Sequence, residues 1–156
     1  MTKFNLETVK SFIKNSSQDT RIYLGADSER VSVGDLWYAD YTLAVVVHKD
    51  AKHGCKVFGD IQRERDYDQK ADRPSMRLMQ EVYKVSELYQ SLADVLEDRY
   101  VEVHLDINPQ ERFKSSLVVA QAVGYIKGTC NLDAQVKPNA FAASYAADRL
   151  KFVLAN

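Results

Sequence analysis

Cysteine is scarce in this chain of 156 residues, which argues against a thiolate-bound zinc site. The two cysteines, Cys55 and Cys130, stand alone without Cys-x-x-Cys spacing, a usage that fits a reducing compartment. The N-terminus also lacks the pattern of a signal peptide. The sequence therefore predicts a cytoplasmic protein.

Long apolar runs and excess charge of one sign are missing as well. No run approaches the roughly 18 apolar residues that cross a bilayer, so no membrane association is expected. The net charge of -1 excludes a broad basic surface, so any nucleic-acid partner must be held locally. With 46% hydrophobic and 28% charged residues, no repeats and no linker, residues 1–156 are expected to form one globular domain.

The stretch Arg21–Glu29 is the first that suggests a site. Its apolar residues alternate with Tyr23, Gly25 and Asp27, which predicts a strand that ends in a carboxylate. Gly25 points the same way as Asp27 and leaves space beside it. The same residues also fit a simple turn that begins at Asp27 and Ser28.

Periodicity and turn residues predict the remaining elements. An N-terminal helix within residues 1–16 is expected to cap the core, and Gln62–Arg73 is expected to be a solvated loop or a basic flap. The other expected elements are strands over Trp37–His48, Cys55–Ile61, Tyr100–Ile107 and Leu132–Lys137, and helices over Pro74–Asp98, Asn108–Gly124 or Gly128, and Ala140–Leu154.

Three further acids occupy unusual positions. Glu81 falls inside the apolar stripe of the long helix, and Asp148 falls among the aromatic residues of the last helix. Asp106 lies at the end of the strand Tyr100–Ile107, as Asp27 does in the first strand. Each has an ordinary alternative: Glu81 can curl out to solvent, and Asp148 can be held by polar or basic partners in the core.

Four acids that converge would repel one another unless a divalent cation lies between them. Carboxylate ligands without cysteine favour Mg2+ or Mn2+ over zinc. The expected metal ligands are Asp27, Glu81, Asp106 and Asp148. His104 shares a strand face with Asp106, where it could orient a ligand or shuttle a proton, or be only a buried spacer.

The order of elements resembles the ribonuclease H fold. More closely, three motifs resemble the YkuK-like family of ribonuclease H-like domains: Gly25–Ser28, Glu102–Ile107, and Lys137–Ser144 followed by Ala147-Asp148. The resemblance implies an α/β fold with a five-stranded mixed sheet, three antiparallel strands followed by alternating helices and strands. Asn139 stands where the family usually has Asp, so activity itself requires a test.

The resemblance further implies a nuclease that hydrolyses phosphodiester bonds in RNA, DNA or a hybrid with two metal ions. Asp27 would bridge the ions, one of which activates water while the other steadies the leaving oxygen. Two alternatives stay open. Asp27-x-Glu29 resembles the first motif of proofreading-type 3'-5' exonucleases, although Tyr145 precedes Asp148 by three residues and not by four or five. The domain could also be an inactive nucleic-acid-binding or assembly module.

Overall fold

The structure, a computed structural model, describes residues 5–52, 54–67, 75–107, 118–136 and 140. Its helices are α1 (Leu6–Lys14), α2 (Ser75–Leu96) and α3 (Val119–Cys130), and its strands are β1 (Arg21–Val33), β2 (Leu36–His48), β3 (Cys55–Arg65) and β4 (Tyr100–Leu105). A short 3-10 turn, Lys49–Ala51, follows β2. The last predicted helix, Ala140–Leu154, lies outside the described residues except for Ala140.

The four strands form one mixed sheet in the order β3-β2-β1-β4. β2 pairs antiparallel with both β1 and β3, whereas β4 lies parallel to β1. The predicted α/β class and the mixed sheet flanked by helices are confirmed. The parallel pairing of β1 with β4 matters most for function, because it brings Asp27 of β1 beside the carboxyl end of β4, which Asp106 follows.

The prediction of five strands is wrong for the part of the chain that the structure describes. The segment predicted as the fifth strand meets β4 at one residue, where Gln135 forms an isolated parallel bridge with His104. Two hydrogen bonds make this bridge, from Gln135 N to Val103 O at 2.9 Å and from Leu105 N to Gln135 O at 2.8 Å. In its described part, residues 132–136, the predicted strand is therefore reduced to this single bridge.

Three predicted strand ends are also wrong. The strand predicted over Tyr100–Ile107 ends at Leu105, so Asp106 lies just beyond it. The other two strands are longer than predicted. β1 continues six residues beyond Asp27 to Val33, so Asp27 lies inside a strand and does not begin a turn. β3 continues through Arg65, so its last four residues are strand although they were predicted to be loop. In both cases pairing with β2 holds the extra residues in the sheet. Val33 of β1 pairs with Leu36 of β2, and Arg65 of β3 pairs with Tyr38 of β2.

The core lies between one face of the sheet and the helices. Asn5 caps α1 by accepting a hydrogen bond from Glu7 N at 2.9 Å, and Val9 and Ile13 of that helix are buried. The predicted apolar stripe of α2 packs against the same sheet face. Within the described residues, no helix is both long enough and apolar enough to cross a membrane.

Arg99 joins the ends of α1 and α2. Its guanidinium is buried and donates hydrogen bonds to Ser16 O at 2.6 Å, Ser17 O at 3.1 Å and Val95 O at 3.0 Å. We expect Arg99→Ala to lower the free energy of unfolding by about 3 kcal/mol, because several buried carbonyl groups would lose a charged donor.

Urea denaturation would measure the effect of Arg99→Ala. Lys10→Ala is the matched control, because it removes a cation whose partner, Asp94, is exposed. The control should leave the denaturation midpoint almost unchanged. An equal midpoint for both variants would show that the carbonyl contacts of Arg99 add nothing to stability.

Candidate metal centre

Three of the four predicted acids meet where the carboxyl end of β4 lies beside Asp27, in the middle of β1. In the parallel ladder Ala26 pairs with Leu105, so Asp27 and Asp106, the next residues in each chain segment, come side by side. Glu81 reaches them from α2, which packs against β1. Asp148 lies outside the described residues.

The carboxylates of Asp27, Glu81 and Asp106 are close enough to share one cation. One oxygen from each lies within 4.8 Å of the corresponding oxygen of the other two. Asp27 and Glu81 are buried, with 7% and 4% of their surface exposed. Three carboxylates so placed repel one another strongly, because little water separates them.

Glu81 experiences this repulsion in a buried position. Burial, and then the neighbouring carboxylates of Asp27 and Asp106, raise the pKa of Glu81 well above its usual range. Its Oε2 accepts a hydrogen bond from Ser28 Oγ at 3.0 Å. Its Oε1 is buried and has no hydrogen-bond partner in the described part of the chain. A buried carboxylate oxygen without a partner is costly, and a cation would offset that cost.

Ser28 and Arg77 support Glu81, and neither was predicted as a site residue. Arg77 Nε donates to Ser28 Oγ at 3.0 Å, and the Ser28 hydroxyl in turn donates to Glu81. Arg77 and Glu81 are four residues apart on α2 and therefore share one helix face. That spacing was visible in the sequence once Glu81 had been singled out, but the link through Ser28 needed the tertiary structure.

Thr42 is a further polar neighbour that the sequence did not reveal. It lies directly opposite Asp27 in the β1-β2 ladder, so the two side chains project from the same sheet face. Thr42 is fully buried, and its hydroxyl oxygen has no hydrogen-bond partner among the described residues. The Thr42 hydroxyl is therefore placed to hydrogen-bond a group held at Asp27.

His104 is fully buried and does not belong to the acid cluster. Its Nε2 lies 2.7 Å from Glu102 Oε2, and its ring lies 5.5 Å from that of Tyr23. Burial lowers the pKa of His104, an effect that the Glu102 carboxylate opposes. These contacts fit the predicted spacer better than a proton shuttle.

Glu29, the second acid of the exonuclease alternative, is exposed and likewise stands outside the acid cluster. It follows Asp27 by two residues on β1 and pairs in the ladder with Asp40. The exonuclease alternative therefore gains no support from the position of Glu29.

The donor set matches a hard divalent cation. All three described ligand groups are carboxylates, and neither cysteine nor histidine joins them in the described cluster. Oxygen ligands of this kind suit Mg2+ or Mn2+, whereas zinc sites use nitrogen and sulfur. The buried Oε1 of Glu81, which has no hydrogen-bond partner in the described residues, agrees with a site for such a cation.

Comparison with known families agrees with this geometry. The family model described as Ribonuclease H-like matches residues 5–151. The chain belongs to the ribonuclease H-like family. Ribonuclease H-like folds typically use divalent metals, in agreement with the cluster of Asp27, Glu81 and Asp106. No curated protein matches this ribonuclease H-like chain.

Proposed function

We propose that this ribonuclease H-like domain is a nuclease that depends on Mg2+ or Mn2+ and hydrolyses phosphodiester bonds. The observation that supports the proposal best is the convergence of Asp27, Glu81 and Asp106, with one buried oxygen of Glu81 lacking a partner in the described residues. Nucleic acid, as RNA, DNA or hybrid, is the proposed partner.

In this proposal Asp27, Glu81, Asp106 and Asp148 hold the metal. Bound divalent ions would activate water and stabilise the charge on the leaving oxygen. The chain itself orients the ligands: Ser28, held by Arg77, fixes one oxygen of Glu81, and the other oxygen has no hydrogen-bond partner in the described residues. His104, neutral and bonded to Glu102, is proposed to keep β4 in place beside Asp106 and not to transfer a proton.

We further place the chain with the YkuK-like members of the family and in the cytoplasm. The first assignment is supported by the Gly25–Ser28 and Glu102–Ile107 motifs, which carry two of the clustered acids. The second is supported by the two cysteines, which form no disulfide in the described chain.

A cleavage assay tests the proposed function. End-labelled single-stranded RNA, single-stranded DNA and an RNA-DNA hybrid are incubated with the full chain in Mg2+, in Mn2+ or in chelator. We expect hydrolysis of at least one substrate with metal and none with chelator. Glu29→Gln should cleave at the wild-type rate, because Glu29 lies outside the acid cluster.

Two outcomes would contradict the proposal in different ways. Cleavage that is lost in Glu29→Gln would favour the exonuclease alternative. Metal-independent degradation, or no cleavage of any of the three substrates, would remove the proposed activity and leave a binding module.

A further inference from the structure

The hairpin of β1 and β2 extends well beyond the acid cluster. From Asp27, β1 runs six more residues to Val33, and a turn with Gly34 at φ +61° leads back into β2. Apolar side chains that would normally be buried are exposed near its tip, among them Trp37 with 43% of its surface accessible. Exposed aromatic surface beside a candidate site is characteristic of ligand recognition.

One face of the hairpin includes Ser28, whose hydroxyl is bonded to Glu81. Ser28, Arg30 and Ser32 alternate along β1 and therefore project from the same side. Trp37 lies opposite Ser32, so it shares that side. Ser28 is bonded to Glu81, and the distance from Ser28 to Ser32 along the strand is roughly 14 Å.

Arg30 orients the Trp37 ring. Its guanidinium carbon lies 4.2 Å from the ring centroid, and its Nε is bonded to Asp66 at 2.9 Å. The guanidinium therefore covers one face of the indole while an acid holds it in place. With 43% of Trp37 exposed, ring surface remains for a second planar group.

Arg77 supplies a cation at the other end of this face. Its Nε is bonded to Ser28, and the described structure records no other hydrogen bond or ion pair for it. The two terminal nitrogens of Arg77 thus remain for a ligand, one helical turn from Glu81. A guanidinium presents its donors in a planar fork that matches a phosphate group.

We propose that the face formed by Trp37, Arg30, Ser28 and Arg77 binds single-stranded nucleic acid and leads it into the acid cluster. One base stacks on Trp37, and a backbone phosphate pairs with Arg77. The strand must be single because a base inside a duplex cannot reach an aromatic face. This inference rests on the proposed nuclease function and specifies its substrate class.

The charges on this face make the binding depend on stacking more than on phosphate contacts. Arg30 is already paired with Asp66, whereas Arg77 interacts with Glu81 at longer range and forms no direct ion pair in the described structure. We therefore expect a shallow salt dependence, equivalent to about two to four released ions.

Trp37 is the single tryptophan of the chain, so fluorescence excited at wavelengths that tyrosine does not absorb reports on this face alone. The full chain is titrated in chelator with oligouridylate and oligothymidylate of about eight nucleotides, a length typical of single-strand sites. We expect saturable quenching of the Trp37 emission. Anisotropy of labelled oligonucleotide should show Trp37→Ala and Arg77→Ala each binding about 10-fold more weakly, with Trp37→Phe and Arg77→Lys in between.

Two control variants match these changes elsewhere. Tyr100→Ala removes an exposed aromatic side chain at the opposite end of the sheet, where β4 pairs with Arg21. Lys10→Ala removes one positive charge from α1. Both should bind like the wild type, and circular dichroism should confirm that every variant is folded.

Absent quenching, or equal affinity of all folded variants, would overturn the inference. An emission shift that depends on protein concentration, with a dimer on gel filtration, would overturn it in favour of a second copy on this face. The titration needs neither metal nor hydrolysis. Quenching without cleavage would therefore refute the proposed nuclease activity but not the binding face. Cleavage without quenching would refute the binding face but not the nuclease activity.

Discussion

Asp27→Asn is expected to reduce metal-dependent hydrolysis at least about 100-fold, since even residues that only orient metal ligands contribute 10- to 100-fold. Asp27 is buried, lies beside Asp106 through the β1-β4 ladder, and contributes an oxygen to the cluster. Asparagine keeps the size of the side chain but loses the charge and one ligand oxygen. Initial rates at saturating Mg2+ would measure the loss.

Glu29→Gln is the matched control for Asp27→Asn. It changes the same strand by one charge but at an exposed position. Equal high rates for the two variants would show that Asp27 does not carry the activity. Equal low rates would favour the exonuclease alternative, which uses both Asp27 and Glu29.

Glu81→Gln is expected to stabilise the metal-free protein. The wild-type carboxyl group is buried against Asp27 and Asp106, which raises its pKa. Glutamine removes the charge, still accepts a hydrogen bond from Ser28, and can donate its amide to the neighbouring carboxylates. We expect the melting temperature in chelator to rise by a few degrees, or on the order of 1 kcal/mol for a domain of this size.

The pH dependence of stability gives a second test of the Glu81→Gln prediction. Because the pKa of Glu81 is raised on folding, the native state binds a proton that the unfolded state releases above about pH 4.3. The wild type therefore loses stability relative to Glu81→Gln as the pH rises from that value through the raised pKa. Melting curves of both proteins in chelator across this range would show the difference widen.

A difference between the wild type and Glu81→Gln that narrows with rising pH would contradict the prediction. Excess Mg2+ should reverse the order of stability, because only the wild type retains the full ligand set. A metal concentration 100-fold above Kd would stabilise it by about 2.7 kcal/mol.

Local pattern was enough to predict where the acids lie but not what surrounds them. Alternation predicted that Asp27 and Asp106 project from strands, and helical spacing placed Glu81 on the buried face of α2. The contact between Asp27 and Asp106 depends on the parallel pairing of β1 with β4, which joins residues about 80 positions apart and leaves no local signal. Family resemblance supplied that link.

The wrong prediction for the end of β3 has a clear physical cause. Gln62–Arg65 is charged and polar, so its composition indicates a solvated loop, yet β2 pairs with every one of these residues. Arg63 is bonded to Asp40 across the ladder, and Glu64 to Lys84 of α2. Charges that are satisfied by neighbouring elements look the same in a sequence as charges satisfied by water.

His104 shows the same limit for a single residue. Its place on the same strand face as Asp106 was compatible both with a role in catalysis and with a buried spacer. The decisive contact is with Glu102, two residues away on β4, and it leaves the ring buried beside Gly25 of β1. Only the packing of the sheet distinguishes the two roles.

The most direct measurement is isothermal titration of the metal-free protein with Mg2+, repeated with Mn2+. We expect the wild type to bind, and Asp27→Asn, Glu81→Gln and Asp106→Asn each to bind at least about 10-fold more weakly, because each removes one carboxylate of a shared site. Glu29→Gln should bind as the wild type does. Equal binding by all five proteins, or no binding by the wild type, would contradict the claim that the three acids form a metal centre.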